Sequence, residues 1–417
     1  MNFPKMLKIR QHFPRPIVQD IEKTLNDQIE TIRPKLNIKS GDTIAIACPS
    51  RGIANYPLII KTLVSKLKEM NLVPFVFPAM GSHGGGTAEG QKETLEHLGI
   101  TEAVIKAPIK SQLEVIQIGE TPEKVPVYID KLAFEADHVI LFNRIKKHTD
   151  FVGEIESGLM KLSVIGMGKF EGAKTYHRAM MSYGPCHIIK SGARVVLEKV
   201  PVLCGVGVVE NGYQETAKLA IMTPDRLEET EKALLKYSKT LSACLPFGEA
   251  DILIIDQGGK EIAGSCVDYK VVGRIGAPLF TPEPKSPKIR RILVSDLTPA
   301  SQGNACGLGI FDLITKRLAD KVDRKITDLN IITSCLLEMG GLPCIAENDR
   351  DAISILLRCI GLIPTQKVRI MRIKDTLNLE NVYVSQAYGK LVEKRDELCV
   401  LSGPEDMQFQ NDYLLPF

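Results

Sequence analysis

The chain has 417 residues, with 53 Lys and Arg against 50 Asp and Glu for a formal charge of +3, and is 44% hydrophobic and 25% charged. These are ordinary values for a folded globular protein, and they exclude a disordered chain, a coiled coil and a collagen-like fibre. So small a charge over this length gives no electrostatic reason to expect nucleic acid or a membrane surface as a partner.

The first ten residues are broken by charge and proline and do not read as a secretion signal. No apolar run approaches the ~18 residues that cross a bilayer. Ten cysteines are present, none three apart, so there is no zinc knuckle or thioredoxin-like motif. Contexts such as Val-Leu-Cys204-Gly and Leu-Arg-Cys359-Ile read as small buried core residues, and a cytoplasmic location is expected. An oligomer is compatible with the sequence.

In chain order, β-branched runs predict strands at 43–47, 73–77, 113–118, 138–142 and 201–209, then at 252–255, 292–295, 329–333 and 368–373. Helical patterns lie between them at 57–69, 88–98, 225–241 and 349–359, the third opened by Thr223 as N-cap and Pro224 at the first helical position. Alternation of this kind predicts an α/β fold: two α/β domains with mainly parallel sheets and the active site in the cleft between them. The Pro/Gly break at 244–250 divides an N-terminal catalytic and cofactor-binding domain, 1–247, from a C-terminal domain, 248–385. Residues 386–417 are expected to return to the N-terminal domain.

Ligands of parallel sheets sit beyond the carboxyl ends of strands, and three such loops carry unusual residues. After the first strand comes Cys48-Pro49-Ser50-Arg51-Gly52, whose arginine can hold a carboxylate or phosphate in two-point fashion. After the second comes Ala79-Met80-Gly81-Ser82-His83-Gly84-Gly85-Gly86-Thr87. It reads either as an anion site at Gly84 and Gly85 with His83 at its lip, or as a tight turn with a solvated histidine. After the fourth comes Asn143-Arg144-Ile145-Lys146-Lys147-His148, followed by glycine-rich sequence through Lys161 to His177. Histidine suits proton transfer near neutrality, and a lysine among apolar neighbours can lose its proton and become a nucleophile. Singly, each of these reads equally as a surface cation or a structural histidine; together they form a cluster. In the second half, Gln257 to Gly264 leaves another strand end, with Asp268, Lys270 and Arg274 as weak candidates for gripping a small carboxylate. Gly205-Val206-Gly207 begins like a dinucleotide fingerprint but lacks the third glycine and the following helix.

These residues resemble the lactate racemase superfamily, whose members use a nickel-pincer nucleotide. The resemblance rests on His148, the run Ser157-Gly158-Leu159-Met160-Lys161-Leu162-Ser163-Val164-Ile165-Gly166, the 16-residue step from Lys161 to His177, and the 32-residue step from Arg51 to His83. It covers about the first 180 residues. It implies an isomerase, a racemase or epimerase of a 2-hydroxy acid, working by reversible hydride transfer to the cofactor. The cofactor implied is nickel held by a pyridinium-3,5-bisthiocarboxylic acid mononucleotide linked covalently to Lys161, with His177 as nickel ligand. Ser50, Arg51, Gly84 and Gly85 would line the cofactor, and His83 and His148 would be the acid/base pair. The enzymes of cofactor synthesis would be partners. This chain has Cys48 where relatives carry an acid three residues before the arginine, and it has no tryptophan. The resemblance therefore implies a 2-hydroxy acid other than lactate, larger or more polar. Two other readings compete: a zinc-dependent hydrolase built on His83, His148 and His177, and a noncatalytic relative that binds small acids.

Overall fold

The structure, a computed structural model, describes residues 2–417. It is α/β with mainly parallel sheets, and it divides into two compact units, one of residues 15–242 and one of residues 1–14 with 243–417.

In the 15–242 unit a five-stranded sheet runs in the order Val73–Pro78, Thr43–Cys48, His138–Arg144, Val202–Glu210, Thr216–Met222. The first four strands are parallel and the last is antiparallel. Ile46 pairs with Val76 on one side and Ile140 on the other, and all three enter one core with the apolar stripes of helices Ile21–Ile32 and Tyr56–Glu69. Parallel register brings the loops after Cys48, Pro78 and Arg144 to the same edge. A separate antiparallel hairpin, Val115–Glu120 with Pro126–Asp130, accounts for the run expected as a strand at 113–118. The glycines at 205 and 207 lie inside a buried strand, against Leu159 and Ile145.

The other unit holds an eight-stranded sheet in the order Cys344–Ala346, Leu313–Thr315, Lys288–Val294, Glu249–Ile255, Ile370–Ile373, Asn381–Ser385, Met6–Gln11, Leu398–Glu405. Its first five strands are parallel and its last three antiparallel. The continuous apolar run in Glu249–Ile255 follows from burial on both faces: Leu253 and Ile255 enter one core, Ile252 and Ile254 the other.

Three expectations are corrected. Residues 386–417 do not return to the N-terminal domain. Their strand, Leu398–Glu405, pairs with Met6–Gln11, so the N-terminal strand is the segment that joins the C-terminal unit. The run at 329–333 is helical, inside Arg324–Ser334. Asp323 caps that helix by accepting the Ile326 amide at 3.0 Å, and the buried positions Thr327 and Ile331 are spaced four apart. Of the cysteines, Cys48, Cys204, Cys266 and Cys306 are buried, but Cys359, at the end of helix Asp349–Cys359, is exposed, as are Cys244, Cys344 and Cys399. No described helix is long and apolar enough to cross a membrane.

Candidate functional site

Ser50 and Arg51 leave the carboxyl end of Thr43–Cys48, and His83 follows the adjacent strand Val73–Pro78. The Ser50 hydroxyl hydrogen-bonds His83 Nδ1 and joins the two loops. Gly84 has φ +65°, and a side chain there would meet the Gly90 and Gln91 backbone at 2.6 Å, so glycine is required where the loop folds back on helix Ala88–His97. Thr87 caps that helix, accepting the Gly90 amide at 3.0 Å.

The glycine loop is braced from behind. Buried Gln91 donates to the carbonyls of Gly81, at 2.8 Å, and His83, at 3.3 Å. Its own carbonyl accepts from Lys169 Nζ at 3.1 Å, and Lys169 also donates to the Pro78 carbonyl at 2.5 Å. Lys169 faces Asp130 at 3.0 Å with both side chains buried. Burial drives the pair toward neutrality from both sides, pushing Asp130 up and Lys169 down, against their mutual attraction.

The third loop, after His138–Arg144, carries His148, and the helical turn Leu159–Lys161 carries Lys161. Lys161 Nζ lies 2.5 Å from His148 Nε2. Burial chiefly, and Arg51 as a nearby cation, lower the Lys161 amine to about 8, with Asp150 opposing. His148 Nδ1 accepts the Asp150 amide at 3.1 Å, which places the imidazole proton on Nε2. An Nε2–H needs an acceptor, and the Lys161 amine supplies one when it is deprotonated, above about pH 8. The imidazole also stacks on Phe151 at 4.2 Å.

The structure thus gathers Ser50, Arg51, His83, His148 and Lys161 at one edge of the sheet, with the Gly84–Gly85 turn beside His83. His177 lies on helix Lys169–Tyr183, one turn after Ala173, and a Cβ added at Gly81 would lie 3.5 Å from the Ala173 Cβ; the Gly81 amide donates to the Gly166 carbonyl at 3.0 Å. Asp268, Lys270 and Arg274 belong to the other unit. There Asp268 turns back on the Lys270 amide at 3.0 Å, and Arg274 binds Asp312 at 3.0 Å and the Ile289 carbonyl at 2.8 Å, so Asp268 and Arg274 are held by local structure. Among the described residues no three His, Cys, Asp or Glu side chains converge as a metal site would require.

Two carboxylates that the sequence reading gave no role support this cluster, one inside the glycine-rich stretch and one far from it. Glu156, buried, accepts the His148 amide at 2.6 Å and the Gly153 amide at 3.2 Å, and pairs with Lys239 at 2.6 Å. Glu231, also buried, accepts the Leu159 and Met160 amides at 2.8 and 3.0 Å. The signal for Glu231 is its place in the helical stripe of Leu227, Leu234, Leu235, Ser238 and Leu241, the buried face of helix Leu227–Leu241, where an acid is out of pattern.

Residues 10–185 match the family model of the lactate racemase N-terminal domain. No curated protein matches the chain. Among solved structures, it is similar to the lactate racemase apoprotein from Thermoanaerobacterium thermosaccharolyticum. The two share 13% identity at a TM-score of 0.52, over 89% of this chain and 94% of that one, a likeness of fold. The match assigns residues 10–185 to the lactate racemase N-terminal domain family.

Proposed function

We propose that this protein is a racemase or epimerase of a 2-hydroxy acid, an isomerase that works with a nickel-pincer nucleotide anchored on Lys161. The observation that carries this reading is the Lys161–His148 pair: an amine held at about 8, 2.5 Å from an imidazole whose other nitrogen is fixed by a backbone amide. A lysine whose work was only to be a cation would gain nothing from this environment, whereas one that forms a covalent bond needs its lone pair.

The donor set fits the group. Lys161 supplies the amine for a covalent link, His177 a single imidazole for nickel, and Arg51 a cation for phosphate or carboxylate, with Ser50, Gly84 and Gly85 alongside. A centre of one imidazole and organic donors needs no cluster of protein ligands, while a zinc hydrolase on His83, His148 and His177 does need one, and those three do not form it. When bound, the cofactor supplies a reversible acceptor for the hydrogen at C2 of the substrate together with its electron pair.

The chain's own residues handle the protons. Inversion without net oxidation needs an acid/base group for each face of the reacting carbon, and His83 and His148 are assigned to these roles. Ser50 fixes the ring of His83 through Nδ1, and Nε2 is the nitrogen assigned to the substrate hydroxyl. The Asp150 amide holds the ring of His148 through Nδ1, and its Nε2, which meets the Lys161 amine at 2.5 Å here, is assigned to the substrate once that amine is engaged by the cofactor. Arg51 orients the substrate carboxylate or the cofactor phosphate. The substrate is a 2-hydroxy acid other than lactate, and the enzymes of cofactor synthesis are transient partners. The test is the intact mass of protein co-expressed with those enzymes. The reading expects an adduct that maps to Lys161 and is lost in Lys161→Arg, with about one nickel per chain, and unmodified Lys161 in nickel-free protein contradicts it.

A further inference from the structure

The assignment of Lys161 leaves open how its backbone is held, because the turn that carries it, Leu159–Lys161, is a single turn with no side-chain cap of its own. It opens on Gly158 and runs directly into a π-helical segment, Leu162–Gly166. Such a turn has too few internal hydrogen bonds to fix its own geometry. Its first two amides, Leu159 and Met160, instead donate to one oxygen of Glu231.

Glu231 is remote in sequence, on helix Leu227–Leu241, and it is 1% exposed. Its second oxygen, Oε1, has no hydrogen-bond partner. A buried carboxylate with an unmatched oxygen opposes folding, so its retention in an apolar stripe calls for a function. The approach is also tight. A Cβ at position 158 would lie 2.2 Å from Glu231 Oε1, so any larger residue there requires the turn or the carboxylate to move and disturbs the contact between them. Gly158 is extended, with φ −179°, so the requirement comes from Glu231 and not from backbone strain.

We infer that Glu231 is the positioning residue for Lys161: by gripping the Leu159 and Met160 amides it sets the turn so that the Lys161 amine meets His148 in a water-poor setting. The inference rests on Lys161 being the reactive lysine of the proposed function. Its consequence concerns the ligand-free protein, where the amine should be unusually nucleophilic near neutral pH only while Glu231 holds the turn. Burial raises the Glu231 carboxyl to about 7, so the two amides are its main compensation.

The test is residue-resolved labelling of ligand-free protein by a water-soluble acylating reagent, followed by mass spectrometry between pH 6.5 and 10.5. In the wild type Lys161 should acylate faster than exposed lysines at pH 7.5. Glu231→Gln keeps an acceptor oxygen for both amides and should hold the rate within about twofold. Glu231→Leu removes the grip and should slow Lys161 by about tenfold or more, moving its midpoint toward an ordinary lysine. Gly158→Ala, which disturbs the contact between the turn and the carboxylate, should reproduce the Glu231→Leu profile, and it serves if Glu231→Leu does not fold. Wild-type-like labelling in Glu231→Leu or Gly158→Ala overturns the inference, as does a Glu231→Gln variant as slow as Glu231→Leu. Adduct formation and racemisation in loaded protein are read separately, so a failure of the labelling result leaves the proposed function standing, and the reverse.

Discussion

A lysine kept reactive costs stability, and Lys161→Met makes that cost measurable. Methionine has a similar unbranched stem and no charge, so it preserves packing beside Leu159 and Met160 while removing the burden of a partly buried ammonium. Lowering the amine from its ordinary 10.5 to about 8 corresponds to about 3 kcal/mol at most. The side chain is only partly buried and the variant also loses the bond to His148, so the expected gain near pH 7 is about 1–2 kcal/mol. The sign follows from linkage. Between about pH 8 and 10.5 the unfolded chain binds the proton that the folded chain has released, so the wild type gains stability from this group as pH rises through that window. The advantage of Lys161→Met should therefore be full below pH 8 and gone by about pH 10.5. Urea unfolding followed by circular dichroism should show the midpoint of the 15–242 unit raised by roughly 0.5 M at pH 7. A variant less stable than the wild type at pH 7, or a gain that does not change with pH, would refute the reasoning.

Lys169→Met strands the buried Asp130 carboxylate and should lower stability by about 3–5 kcal/mol, and Asp130→Asn in the same chain should restore at least half of it in the same urea assay. Arg51→Gln removes the cation that disfavours the Lys161 ammonium and should raise its labelling midpoint; Asp150→Asn removes the opposing carboxylate and should lower it. A shift of either in the wrong direction rules out the electrostatic account. Ser50→Ala frees the ring of His83 and should reduce turnover of the loaded enzyme by about tenfold, while stability changes by no more than about 1 kcal/mol, since the lost bond is only partly buried. Unchanged turnover would separate His83 from the chemistry.

Four of the five strands in the sheet of the 15–242 unit were legible because they are short β-branched runs between strong helix patterns, whereas the antiparallel edge strand Thr216–Met222 was missed. The loops after Cys48, Pro78 and Arg144 stood out by their arginine, glycine and histidine residues. What was not legible depends on contacts between distant segments. Met6–Gln11 joins the C-terminal unit by pairing with strands more than 370 residues away, which no local pattern encodes. The run Leu329-Asn330-Ile331-Ile332-Thr333 has strand composition, yet the Asp323 cap decides for helix. At the site, residues that act through their own side chains were visible, whereas Glu156, Glu231, Gln91 and Lys169 act by holding the backbone of another segment and carry no motif. Glu231 left a trace as an acid in an apolar stripe, and Gly158 is its counterpart in sequence.

The most direct test of the account is turnover of single enantiomers from a panel of 2-hydroxy acids, graded in size and polarity, by nickel-loaded protein in D2O. The account predicts that one or more acids invert and that the product keeps protium at C2, because that hydrogen moves with its electron pair and never exchanges with solvent. Deuterium at C2 would show proton abstraction at carbon instead, and no inversion of any acid by fully loaded protein would contradict the assignment as a racemase.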